Sequence, residues 1–208
     1  MQLQELSERA KTPTASIKFY LREGLLPVGE TIHATRAQYS ERHVERLELI
    51  QVLRRVVGLT IEQIRSLVRM ADDRAPRLSL LAAVQRVVLK LDAPGTGSGE
   101  AGAAPSDAVV RLRRWPDYPS EARDALNAHL QLMDSLNIKV GEELLDIYSR
   151  AMDDVARFDI AVTAAPGSAD RLILTAAVGM HMHSQLLLRL LALAQTSHSI
   201  RRFEPGAG

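Results

Sequence analysis

The stretch Thr12-Pro13-Thr14-Ala15-Ser16-Ile17-Lys18-Phe19-Tyr20-Leu21-Arg22-Glu23-Gly24-Leu25-Leu26-Pro27 reads as a turn, a short basic aromatic helix and a second abrupt turn. Thr12 is suited to cap a helix whose first position is Pro13, where a missing N–H costs nothing and the fixed φ is already helical. Ile17 and Leu21 lie four residues apart and predict a packed face. Lys18, Tyr20 and Arg22 supply two cations and a phenol, groups that meet phosphate oxygens and base edges. The pattern predicts a helix that packs on one side and touches DNA on the other.

Upstream, Leu3, Leu6 and Ala10 mark a short first helix, so the pair resembles a helix-turn-helix. From residue 24 to 39 the helical period dissolves into Gly, Pro, Thr and isolated apolar residues, which predicts a loop or two-stranded wing carrying Ile32 and Arg36. His33 there reads as an exposed loop residue or a phosphate contact. Ser40 is a cap for a third helix with Glu41 at its positive end, and Val44, Leu47, Ile50, Val52, Leu53 and Val56 form its apolar face up to Gly58. Thr60 and Gln63 spell a capping box for a fourth helix running to about Met70.

The chain as a whole narrows the function classes. Its 208 residues and 46% hydrophobic content suffice for one large or two small domains. With no cysteine, disulfides, thiolate metal sites and cysteine nucleophiles are excluded. No charge-free apolar run reaches membrane-spanning length and no charged-then-apolar leader opens the chain, so a soluble cytoplasmic protein without a membrane partner is expected. The net charge of +1 requires that any surface for nucleic acid come from local arrangement.

Further along, Leu81, Val84, Val88 and Leu91 step by three and four residues, a seam two heptads long that Leu80 and Val87 widen. Residues 93–105 collapse to Ala, Gly, Ser, Thr and Pro and read as a flexible linker. Ala122, Leu126, Leu130 and Met133 mark one amphipathic helix, and Leu144, Tyr148, Ala151 and Val155 mark another. A last helix, from about residue 169 to 196, is apolar almost all round and must be buried in a bundle or in a subunit interface.

Ser16-Ile17-Lys18-Phe19-Tyr20, Gly24-Leu25-Leu26-Pro27, Tyr39-Ser40 and Gly58-Leu59-Thr60-Ile61-Glu62-Gln63-Ile64 occur in the order and spacing that resemble the DNA-binding domain of the MerR family of bacterial transcription regulators. The resemblance covers residues 1–70. It implies a mainly α protein with an N-terminal winged helix-turn-helix domain (1–75), a dimerisation helix (76–92), the linker (93–105) and an all-helical effector-type domain (106–208). It implies a homodimer that binds a two-fold symmetric promoter element in double-stranded DNA, distorts it and so serves RNA polymerase, in the bacterial cytoplasm and nucleoid. The seam at residues 81–91 is the dimerisation candidate. The family pattern assigns DNA contacts to Lys18 and Tyr20, with Thr14 and Ser16 toward the groove; Arg22, Arg36 and Tyr39 complete the candidate set. Some positions depart from it. Lys18 stands where arginine is usual, Phe19 where tyrosine is usual and Ala15 where arginine is frequent, and Ala37 displaces the wing arginine to Arg36.

Trp115, Tyr118, His129, Tyr148 and His183 are the aromatic and imidazole groups available to a small-molecule effector, although Tyr148 sits in its helix's apolar stripe, which favours core packing. Met180-His181-Met182-His183 suits a soft metal by composition. On a helix, however, i and i+2 side chains diverge by about 200°, so no metal site is expected. No cofactor is implied, and the acidic, hydroxyl and imidazole groups lack the contexts of catalysis, so a non-enzyme is expected. The alternative is a protein-interaction adaptor that keeps the winged fold and acts through its C-terminal bundle.

Overall fold

In the computed structural model, which describes residues 1–33, 36–91, 104–163 and 167–204, nine α-helices and one two-stranded sheet follow from the pattern above. Helix α1 (Leu3–Arg9) ends at Lys11, whose φ of 48° makes the tight turn into α2 (Thr14–Arg22). Helix α2 starts one residue later than predicted, because Thr12 turns inward instead of capping. Its Oγ1 donates to the Ala10 carbonyl at 2.9 Å and accepts from the Gln51 amide at 2.6 Å. A buried hydroxyl needs such partners, and these tie the first turn to α3.

The predicted wing is present. Strands β1 (Glu30–His33) and β2 (Arg36–Gln38) pair antiparallel, Glu30 opposite Gln38 and Thr31 opposite Ala37, with an irregularity between Thr31 and His33. Gly29 lies at its root, where a Cβ would come within 2.8 Å of the Gln38 carbonyl oxygen.

Helix α3 (Glu41–Val52) opens with Ser40 and His43 closing a reciprocal cap, then passes into a π turn, Leu53–Val57, that ends at Gly58 with φ of 81°. The wider turn keeps Leu53 buried but rotates Val56, predicted on the apolar face, out to solvent. Helix α4 (Ile61–Asp72) begins with the predicted Thr60–Gln63 box, both hydrogen bonds made, and runs two residues past Met70.

Helix α5 (Arg77–Leu89) carries the heptad seam as far as Val88, Leu91 lying past its end, and part of its apolar face is covered within the same chain. Leu80, Ala83 and Val84 are buried against the start of α9 (Ala169–Phe203), whose Leu172, Ile173, Leu174, Ala176 and Ala177 also seat on α3, the π turn and α4. One core therefore joins the first 90 residues to a helix that begins at residue 169.

Most of the linker predicted at 93–105 falls outside the described residues. After it comes α6 (Ser106–Arg113), a helix the apolar period did not announce because Val109 is its one fully buried apolar residue. Helices α7 (Glu121–Ser135) and α8 (Glu142–Thr163) contain and extend the two predicted amphipathic helices, and α6 packs on both. Polar links lace this unit: Arg123 to Asp107 at 2.6 Å, the Ser106 N–H to Asn127 at 2.8 Å, and Arg113 to Asp146. No helix among the described residues is long and apolar enough to cross a membrane. The all-round burial expected of α9 holds only for its first turns; beyond Gly179 its leucines emerge into solvent.

Because Ile173 is completely buried in the shared core, Ile173→Ala should cost about 2–5 kcal/mol of stability. Urea unfolding monitored by circular dichroism, with faster amide exchange expected in α3 and α5, checks this coupling across the chain.

Candidate nucleic-acid interface

Helix α2 is positioned from behind. Its last turn closes on Gly24, with φ of 67°, and the Leu25 and Leu26 N–H groups both donate back to the Tyr20 carbonyl at 2.9 and 3.2 Å. A left-handed glycine here lets the backbone satisfy the helix's free carbonyl ends and turn sharply. Two arginines then hold the end in place. Arg65 from α4 donates Nε to the Glu23 carbonyl at 3.0 Å and Nη2 to the Glu23 carboxylate at 2.7 Å, while Arg46 from α3 donates Nη1 to the Leu25 carbonyl at 3.3 Å.

Arg46 is the hub of this support. Its side chain is 1% exposed, and it also donates Nε to Asp170 of α9 at 2.7 Å and Nη2 to Asp72 of α4 at 2.9 Å. Burial alone would lower its pKa, but the hydrogen bonds to Asp72 and Asp170 prevail and raise it. Burial likewise pushes Asp72 up, and Arg46 with Arg42 reverses that and holds the carboxyl below its ordinary value. The guanidinium thus stays charged and links the end of α2, the end of α4 and the start of α9. Neither Arg46 nor Arg65 stands out in the sequence as a functional residue. A signal existed for Arg46, a cation placed three, four and seven residues before the core residues Leu49, Ile50 and Leu53.

The outward surface of α2 is narrower than the sequence suggests. Thr14, Lys18 and Arg22 are exposed and Ser16 is half-buried. Lys18 forms no ion pair among the described residues, leaving its charge available. Arg22 lies over the Phe19 ring at 5.5 Å and 3.7 Å from the Glu23 carboxylate. Tyr20 corrects the expected face: the phenol is 6% exposed and its ring joins Ile17 in the core, while Leu21 is only partly buried. Tyr39 is buried too, its N–H bonded to the Met1 carbonyl at 2.9 Å and its ring set edge-on to His43. Arg36 sits on β2 opposite His33 in the wing, and its backbone register is what the structure describes.

The five candidate effector residues are dispersed. The Trp115 indole donates to Asp153 of α8 at 2.7 Å, and His183 of α9 bonds Asp159 of α8 through Nδ1 at 2.6 Å. Tyr118 and His129 are exposed, and Tyr148, despite its apolar stripe, is 53% exposed.

Residues 1–71 match the family described as MerR HTH family regulatory protein. A solved structure of a candidate transcriptional regulator from Streptomyces coelicolor A3(2) is 27% identical over 98% of each chain, with a TM-score of 0.62. No curated protein matches the chain. The N-terminal segment is therefore a MerR-type helix-turn-helix domain, as its motifs implied, and such a domain binds DNA in transcription regulation.

Two outcomes follow. Arg46→Ala strands Asp170 in the interior and should cost about 3–5 kcal/mol, read from urea unfolding. His43 accepts the Ser40 N–H on Nδ1 at 3.0 Å, and burial lowers its pKa from the ordinary 6.5. The neutral ring's stabilisation is fully present above pH 6.5 and is lost as pH falls through the lowered value. Melting temperature should therefore drop on acidification below 6.5, and His43→Gln should flatten that segment of the profile.

Proposed function

We propose that the chain is a homodimeric, sequence-specific transcription regulator. It reads a two-fold symmetric promoter element through Thr14, Ser16, Lys18 and Arg22 of α2 and through the wing with Arg36, and distorts that DNA for RNA polymerase in response to an effector. The observation that carries this reading is an exposed cation, Lys18, with no ion pair among the described residues, on a helix whose end is fixed by two arginines. Phosphate contacts set register only if the side chains that make them are rigidly mounted. Tyr20 and Tyr39 act in this scheme by shaping the core under the reading face. The DNA then supplies part of the specificity through its deformability, since α2 presents few groups to base edges.

Effector response is supported by the direct link from α9 through Arg46 to the end of α2. Tyr118 and Tyr148 are the exposed phenols among the effector candidates. No catalytic step is assigned. The adaptor alternative draws on one observation, the burial of Tyr20 and Tyr39, which withdraws two phenols from the DNA face.

Lys18→Ala should weaken binding to all DNA sequences alike and lower the slope of log K against log salt by about one for each phosphate that the lysine neutralises. Fluorescence anisotropy on the DNA upstream of the chain's own gene measures both. An unchanged slope with an intact circular dichroism spectrum removes Lys18 from the interface, and binding with no sequence preference favours the adaptor.

A further inference from the structure

A cavity of about 300 Å³ lies where the winged domain meets the first turn of α9, between α3 and the end of α4. That is the lower end of the size range of small-molecule sites. Three arginines, Arg42, Arg46 and Arg74, and three carboxylates, Glu45, Asp72 and Asp170, line it. Most of these groups satisfy one another. Asp72 accepts from Arg42 at 2.8 Å and from Arg46 at 2.9 Å, Asp170 accepts Arg46 Nε on Oδ2 at 2.7 Å, and Glu45 accepts the Ser168 hydroxyl at 2.9 Å.

Two groups of opposite charge are left over. Asp170 is 5% exposed, and its Oδ1 is buried with no hydrogen-bond partner among the described residues. A buried carboxylate oxygen without a donor is costly, so such atoms are rare in folded chains and call for something to complete them. Arg74 is exposed, and its guanidinium forms no hydrogen bond or ion pair among the described residues. A simple anion would meet Arg74 but be repelled by Asp170, and a simple amine would meet Asp170 but be repelled by the arginines. A molecule that carries both charges matches both groups.

We infer that this cavity binds a small zwitterion of the free α-amino acid class, its ammonium at the Asp170 carboxylate and its acid group at Arg74. One unpaired guanidinium matches the single charge of a carboxylate, which its planar fork can grip with two hydrogen bonds. The inference rests on the effector response proposed above and places its site at the edge of the winged domain, away from the dispersed aromatic and imidazole candidates. Asp170 is bonded to Arg46, and Arg46 to the Leu25 carbonyl behind α2. A ligand that completes Asp170 therefore favours the arrangement with α9 seated and the turn after α2 fixed, by as much as it prefers that arrangement.

Isothermal titration calorimetry of the full chain with the standard α-amino acids tests the site. At least one should bind saturably, and its decarboxylated amine and its deaminated acid should each bind about tenfold more weakly or worse. Asp170→Asn removes the ammonium's partner but also weakens the pair with Arg46, so Arg74→Ala, on an exposed side chain, is the cleaner variant. It should weaken binding about tenfold or more without moving the melting temperature. In fluorescence anisotropy on the upstream DNA, the saturating amino acid should tighten binding about fivefold or more. A panel in which nothing binds leaves the cavity to water and overturns the assignment. So does an amine or acid that binds as well as the parent compound, an Arg74→Ala variant that binds undiminished, or a bound amino acid that leaves the anisotropy curve unmoved. Calorimetry needs no DNA, and anisotropy of the unliganded chain needs no amino acid, so failure of the cavity and failure of DNA reading are separate results.

Discussion

The fold depends on one buried cation. Arg46 has almost no contact with solvent, yet it must stay charged, so its donors need partners from every side: the Leu25 carbonyl beyond α2, Asp72 at the end of α4 and Asp170 at the start of α9. Placing such a group in the interior is costly unless the hydrogen bonds are complete. Completing them fixes three otherwise independent elements against α3. A hydrophobic residue there could fill the volume, but it could not dictate where the turn after the recognition helix lies.

That constraint changes what the N-terminal domain is. Its first 90 residues supply most of a core, and α9 adds Leu172, Ile173, Leu174, Ala176 and Ala177 from more than 80 residues further on. The winged domain is thus sealed by the C-terminal helix. Asp170 of α9 is joined through Arg46 to the backbone of Leu25. Seating one end of a 35-residue helix in that core also carries its other end into solvent. The same element closes the winged domain and projects an apolar surface away from it.

The helix-turn-helix, the wing and the two caps were legible because each rests on local chemistry: a left-handed glycine, a proline, a Thr-x-x-Gln box. Side-chain direction within α2 was less so. Helical spacing allowed either Leu21 or Tyr20 to accompany Ile17 inward, and the hydroxyl suggested that Tyr20 would stay out. A phenol 6% exposed shows that the ring's area outweighed its polar tip. Helix α6 escaped notice because its stability comes from ion pairs and caps to α7 and α8, interactions without a period in the sequence.

From its residues alone the chain determined a helical protein with a winged helix-turn-helix N-terminal domain, since helix ends, turns and apolar periods are written within a few residues of where they act. The partner of each apolar stripe was decided only in three dimensions. The α5 seam and the α9 stripe both predicted pairing and neither named its mate, because periodicity specifies that a face must be covered, not by what. Tertiary packing set α9 on α5, and Arg46 of α3, bonded to Asp72 of α4 and Asp170 of α9, fixed where α9 begins, since a buried guanidinium tolerates few geometries whereas apolar contact tolerates many.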